Sequence, residues 1–345
     1  MALSDNAAGP TWAKCSRPRR RISPSRMPSP FAPGLSSEAE KSSCSPRQMP
    51  RNGLPETAAP RTASERPLAS ISAAAAPKEP TPGRITPSAA RMDAAEGCVK
   101  VAIVGKYTVG SQCADPMEDA YLSIRESLKH AGIEAGVKID VQWIDAEELE
   151  HGSPDLILRD ADGILVPGGF GSRGTEGKMK AVQYAREMKV PYLGICFGMQ
   201  LAVIEYARNV CGLEGASSSE FGATPHPVIA LLPEQEKIRD MGATMRLGNY
   251  TAHLKEGSLA HRIYGVDEIV ERHRHRYEVN PAYIAQIEEK GMIFSGTNGD
   301  LMEICEITDH PFFFASQFHP EMKSRPGRPS PPFLAFVEAM KGRRE

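Results

Sequence analysis

The sequence predicts an α/β domain with a mostly parallel central sheet flanked by helices, preceded by a disordered tail. Three observations predict it. Composition changes sharply near residue 96, short apolar runs then alternate with amphipathic stretches, and glycine-rich turns follow several of those runs. Strands alternating with helices imply βαβ units, a parallel sheet and right-handed crossovers.

The tail comprises residues 1–95. It holds 15 of the chain's 29 prolines and 14 Lys+Arg against 7 Asp+Glu, so it carries +7 and the rest of the chain −9. Lacking apolar periodicity, such a segment cannot bury enough surface to offset its ordering entropy. Its start is rich in Arg and Ser, with Asp5 the only acid before Glu38. That leaves an organelle transit peptide as a second reading, although no amphipathic helix is visible around Arg19–Arg21. Met92, just ahead of the folded region, leaves a third: an artificial junction upstream of it. Residues 96–345 form the second region, long enough to hide roughly 70–75% of their unfolded surface. No apolar run approaches the ~20 residues that span a bilayer, so no membrane partner is expected. Seven cysteines stand singly, which argues against a secreted disulfide framework and for a reducing, cytoplasmic setting.

Val99–Val104 is apolar and ends at Gly105, a buried strand by pattern. Met117–Ala131 has apolar residues at helical spacing and is predicted to end at Gly132. Val137–Ile144 alternates as a second strand, and Gly163–Pro167 is a third, running into Pro167-Gly168-Gly169-Phe170-Gly171. Gly177–Met188 is a helix. Pro191–Ile195 is a fourth strand that feeds the helix Met199–Val210, and Phe312–Phe318 is a further strand. In open parallel sheets chemistry collects beyond the carboxyl ends of strands. PGGFG, GICFG and QFHPE all follow predicted strands, so the three can converge.

Gly194-Ile195-Cys196-Phe197-Gly198 places a cysteine between glycines at a strand-to-helix junction, the thiol form of a nucleophile elbow. Taken alone it is a weak pattern, because free cysteines are often simply buried. Cys113, Cys211 and Cys305 lack these surroundings and read as core or loop residues. A cysteine nucleophile needs a histidine that is distant in sequence and close in space. His319-Pro320-Glu321 offers one, with Pro320 stiffening the link so that the carboxylate can fix the ring's tautomer. His310 also precedes a proline but lies before the strand, on the wrong side. Acyl transfer further needs donors for an oxyanion. The PGGFG turn supplies backbone N–H groups unblocked by side chains, Gly169 among them, where positive φ is allowed, and Phe197 supplies the second donor.

Together these residues resemble the class I (triad) glutamine amidotransferases, whose fold is flavodoxin-like. Lys106-Tyr107, GGFGSRG (168–174), GICFGMQ (194–200), GATMRLG (242–248), VERHRHRYEVN (270–280) and SQFHPE (316–321) are similar more specifically to the glutaminase domain of the CTP synthase family. The resemblance covers residues 98–343. It implies a Cys196/His319/Glu321 triad that hydrolyses L-glutamine, and a glutamine site of Gly169, Phe197, Gly198, Met199, Gln200, Glu220 and Arg276. Arg276 would pair with the substrate α-carboxylate and Glu220 with its α-ammonium. Arg173 is similar to the residue through which GTP activates this family.

Arg272–Arg276 with His273 and His275 also admits a solvated basic strand. A nucleic-acid patch is not expected, since neither a broader basic surface nor interleaved aromatics accompany it. No metal is expected at His273-x-His275, which has no acidic or thiol neighbour at ligand spacing beyond Glu278. The complete family enzyme would carry an amidoligase domain before residue 98, with ATP, Mg and GTP as its ligands; no cofactor is implied for the glutaminase domain itself. Here a proline-rich segment stands there, with no GxxxxGK[ST] loop. The expectation is therefore a glutaminase that needs an amidoligase domain or chain as partner. The alternative is a freestanding glutaminase-like or regulatory subunit that uses the fold to bind a synthase.

Overall fold

β-Branched and apolar residues dominate Cys98–Gly105, and in the computed structural model this run is the first strand, β1. The structure describes Arg91 and residues 95–106, 118–231 and 245–344. The predicted tail apart from Arg91 and Ala95, together with Tyr107, Cys113 and the 242–244 start of GATMRLG, lies outside the described residues. The other strands are β2 (Lys138–Asp145), β3 (Gly163–Val166), β4 (Tyr192–Ile195), β5 (Ser217–Ser218), β6 (Pro227–Ala230), β7 (Arg246–Leu254), β8 (Glu268–His275), β9 (Glu278–Val279), β10 (Met292–Asn298), β11 (Leu301–Ile307) and β12 (Phe313–Ser316). The helices are α1 (Leu122–Ala135), α2 (Ala146–His151), α3 (Pro154–Leu158), α4 (Thr175–Glu187), α5 (Phe197–Asn209), α6 (Leu259–Tyr264), α7 (Ile284–Glu289) and α8 (Pro331–Arg344).

Nine strands form one sheet in the order β2-β1-β3-β4-β12-β11-β10-β7-β8. The first five are parallel, as the alternation of strands and helices predicts. The last four are antiparallel and extend the sheet beyond what the βαβ pattern showed. Side chains of a strand alternate between faces, and the core divides accordingly. Ala102, Val104, Ile164, Val166 and Tyr192 pack with α4 and α5. Val101, Ile103, Leu165, Leu193 and Ile195 pack with α1 and α8 on the other face.

Most boundaries shift by a residue or two and the first helix starts at Leu122, not Met117; two differences bear on packing and on the site. Helix α1 runs through Gly132 and stops at Gly136, which takes φ 68° in the left-handed region. Gly132 is instead a close-approach residue: a β-carbon there would stand 2.8 Å from Ile139 and from the Val137 carbonyl oxygen. Strand β12 ends at Ser316, two residues short of Phe318, although the Gln317 N–H still reaches the Glu303 carbonyl of β11 at 2.8 Å. That early end matters for the site, since it frees the chain carrying His319 to turn.

Candidate active site

β4 is buried at all four positions, and the residue after it breaks the strand sharply. Cys196 has φ 52° and ψ −100°, one of two non-glycine residues with positive φ among the described residues. Such a conformation costs of order 1–3 kcal/mol and persists only where the surroundings enforce it. Here the Cys196 N–H donates to the Ser316 carbonyl at 2.6 Å, while the Cys196 carbonyl accepts from the N–H groups of Met199 and Gln200. Gly198 lets the turn close, because a β-carbon at that position would fall on the Val166 carbonyl oxygen.

β12 lies parallel and adjacent to β4, so the segment after it rises beside Cys196. The His319 N–H donates to the Arg272 carbonyl at 2.8 Å. Nδ1 of His319 lies 2.8 Å from Glu321 Oε1, which leaves Nε2 for its bond with Cys196. Burial pulls the imidazole pKa down, but the bonds and charges of Cys196 and Glu321 outweigh it and raise the value to about 10. The three predicted triad residues are therefore in contact in the expected order.

The Gly168–Gly171 loop lies directly over them. A β-carbon on Gly168 would stand 3.1 Å from His319 Cε1 and 3.7 Å from Cys196 Cβ, so glycine is what allows the loop to approach. Positive φ, which glycine allows along this turn, occurs at Gly171 (73°) and not at Gly168 or Gly169. The loop is tied from two sides. Lys106 Nζ donates to the carbonyls of Phe170 (2.5 Å) and Gly171 (2.7 Å), and the Gly171 N–H donates to Glu220 Oε1 at 2.7 Å. Arg173 reaches back to the Lys106 carbonyl at 3.1 Å and pairs with Glu147 at 3.4 Å.

Phe197 and Gly198 open α5, where N–H groups have no intrahelical acceptor. Met199 is wholly buried in the core, so its side chain faces away from solvent. Gln200 donates to the Tyr277 carbonyl (3.0 Å) and to Gln317 Oε1 (3.2 Å). Gln317 Nε2 in turn stands 3.6 Å from Cys196 Sγ. Sequence reasoning assigned no role to Gln317 or to Lys106; their only signal was membership of the quoted motifs. Arg276, exposed just beyond the end of β8, has no side-chain partner among the described residues. Buried Cys305 has its thiol pushed up by burial, and His310 bonds the Ala185 carbonyl at 3.0 Å, away from the triad.

β8 alternates without a break, with Glu271, His273 and His275 inward and Arg272 and Arg274 outward. His273 and His275 touch through ring nitrogens at 3.0 Å, and burial lowers both, His273 to about 3. Glu303 from β11 joins them, so that three ligand-type atoms lie within 4.8 Å of one another. Local spacing could not show that carboxylate. Its other oxygen binds Arg246 at 2.8 Å, and Arg246 also pairs with Glu278 at 3.3 Å. The guanidinium thus already supplies positive charge to the cluster.

A strained cysteine at a strand-to-helix turn, a histidine–glutamate pair and an overlying glycine loop define an amidotransferase site. Residues 117–339 match Glutamine amidotransferase class-I, and the chain belongs to that family. Within it, the chain is a glutamine amidotransferase domain of the CTP synthase family. It is 78% identical over 254 residues to the CTP synthase of Methanothrix thermoacetophila, covering 74% of this chain and 46% of that one. It is 56% identical over 252 residues to the CTP synthase of Thermus thermophilus, covering 71% and 44%. The solved glutaminase domain of Trypanosoma brucei CTPS, with bound acivicin, superposes with a TM-score of 0.65 at 39% identity, covering 71% of this chain and 94% of that one. The chain spans about half the length of the curated relatives it matches. Among the described residues no helix is long and apolar enough to cross a membrane.

Proposed function

We propose that this domain hydrolyses L-glutamine to glutamate and ammonia as the glutaminase part of a CTP synthase, with ammonia passing to an amidoligase domain or chain. The observation that carries the proposal is the Cys196–His319–Glu321 contact at the tip of β4, with His319 held by Glu321 at 2.8 Å. Cys196 Sγ, its proton already held by His319, attacks the side-chain amide carbon. The substrate oxygen becomes an oxyanion facing the N–H groups of Gly169 and Phe197. His319 then protonates the departing nitrogen, the C–N bond breaks, and ammonia leaves a γ-glutamyl thioester. Water, deprotonated by His319, adds to that carbonyl, the C–S bond breaks with its electron pair left on sulfur, and glutamate departs with the proton kept on His319.

Glu220 and Arg276 suit the two ends of the amino acid, an ammonium and a carboxylate. Arg173 lies beside the oxyanion loop, where a GTP-linked signal could reach Gly169 through Lys106. The glutaminase chemistry itself requires no cofactor; ATP, Mg and GTP would belong to the complete reaction. A cytoplasmic setting fits this chemistry.

The test uses the full chain. Glutamate release from glutamine is expected for the wild type, at least slowly, and Cys196→Ala should abolish it. A diazo-ketone glutamine analogue should label Cys196 and no other cysteine. If wild type and Cys196→Ala are equally inert even with a synthase partner and GTP, the proposal fails.

A further inference from the structure

Lys178, in the first turns of α4, is wholly buried, and its Nζ has no hydrogen-bond partner among the described residues. An ammonium in that state is expensive, and proteins relieve the cost by losing the proton. Burial draws its pKa from 10.5 down to about 7, Lys106 pushes the same way, and Cys196 opposes both. Methionine, equally long and apolar, would fill the space without that cost, so packing alone does not call for an amine.

The location says what the amine is near. Nζ stands 5.4 Å from the centre of the Phe197 ring, and Lys106 Nζ stands 5.1 Å from the same centre. It lies 3.6 Å from where a β-carbon on Gly169 would be. Gly169 and Phe197 are the two residues assigned above as oxyanion donors. The charged groups that act on Lys178 are Lys106, from the end of β1, and Cys196, from the turn before α5. Glu220 and Arg173 act in turn on Lys106.

We propose that Lys178 is a positioning residue for glutamine hydrolysis, a buried cation behind Gly169 and Phe197 that offsets negative charge on Cys196 and on the substrate oxygen. The proposal rests on the glutaminase reading. In a water-excluded site a unit charge acts over several ångströms without touching its partner. An unpaired ammonium is least favourable when the site is neutral and most favourable when a thiolate or oxyanion forms beside it. That is the order in which charge appears during the reaction. The proton on Lys178 stays in place throughout.

Lys178→Met and Lys178→Gln in the full chain test this. Wild type and variants would be compared in glutaminase kcat and KM from pH 6 to 10, and in the rate at which iodoacetamide alkylates Cys196, read peptide by peptide. Both variants should lose about tenfold in kcat with KM unchanged within twofold, less than the 10²–10³ of a direct donor. Cys196 alkylation at pH 7 should slow about fivefold, and the difference should vanish by pH 10, where the wild-type lysine is itself neutral. Equal alkylation in wild type and variants at pH 7 would overturn the proposal, as would a loss of kcat equal at every pH. A wild type that alkylates as described but does not hydrolyse glutamine would refute the glutaminase reading and leave the Lys178–Cys196 coupling standing.

Discussion

Glu321→Gln removes a charge while keeping the shape of the side chain. Glu321 is buried, with 4% of its side chain exposed, and Oε1 meets His319 Nδ1 at 2.8 Å. The rise of His319 from 6.5 to about 10 corresponds to about 5 kcal/mol favouring the imidazolium, shared between Cys196 and Glu321. Assigning half of it to Glu321 gives about 2–3 kcal/mol, or roughly 10²-fold in rate if all of it acts in the transition state. The amide also permits the wrong tautomer, which in comparable triads brings the loss to about 10⁴. The expected fall in kcat/KM at pH 7 is therefore about 10²–10⁴-fold. Stability should change its pH dependence as well. His319 holds its proton in the folded state above the unfolded value of 6.5, so its stabilisation is complete below pH 6.5 and declines as pH rises toward 10. In Glu321→Gln that decline should finish at lower pH. Glutamate release and urea midpoints measured from pH 5 to 10 provide both readouts. A variant within tenfold of wild type, or with an unchanged pH dependence of its midpoint, would refute the reasoning.

Two further outcomes follow from the packing. Gly198→Ala drives a methyl group onto the Val166 carbonyl; it should destabilise by about 1–3 kcal/mol and, by displacing Cys196, cut glutaminase kcat more than a core substitution of equal cost. Thermal melts paired with kinetics check this. Arg246→Met leaves Glu278 and Glu303, both wholly buried, without their cation; it should cost about 3–5 kcal/mol in urea unfolding at pH 7. Protonating Glu303, whose carboxyl burial pushes up, should recover part of that loss near pH 5, where the gap to wild type should narrow.

Which parts were legible beforehand follows from what is local. β1 and β3 announce themselves as apolar runs ended by glycine or proline and β4 as one opened by Pro191, and the turn after β4 shows as Gly194 and Gly198 around Cys196. Their positions at strand ends were enough to bring Cys196, His319 and Glu321 together. The antiparallel strands were not legible, because β7 and β8 carry arginines, histidines and acids on alternating faces, and polar residues inside a sheet carry no apolar period. The burial of Glu271, His273 and His275 depends on partners such as Arg246 and Glu303 on other strands. For the same reason Lys106 and Gln317 could be quoted within motifs but not given roles. Gly132 was misplaced because a glycine demanded by a neighbouring strand looks identical, in one dimension, to a glycine that ends a helix.

β8 closes one border of the nine-stranded sheet, and an exposed border strand is a template on which a second sheet can grow. This one does not offer its carbonyls freely. Those of Val270, Arg272 and Arg274, on alternate residues, meet Lys323 Nζ, the His319 N–H and Cys196 Sγ. The segment that carries His319 thus covers the sheet's open border. Damage to the turn that carries His319 would then uncover a strand as well as silence a reaction, and the same lesion that ends activity would invite chains to associate edge to edge.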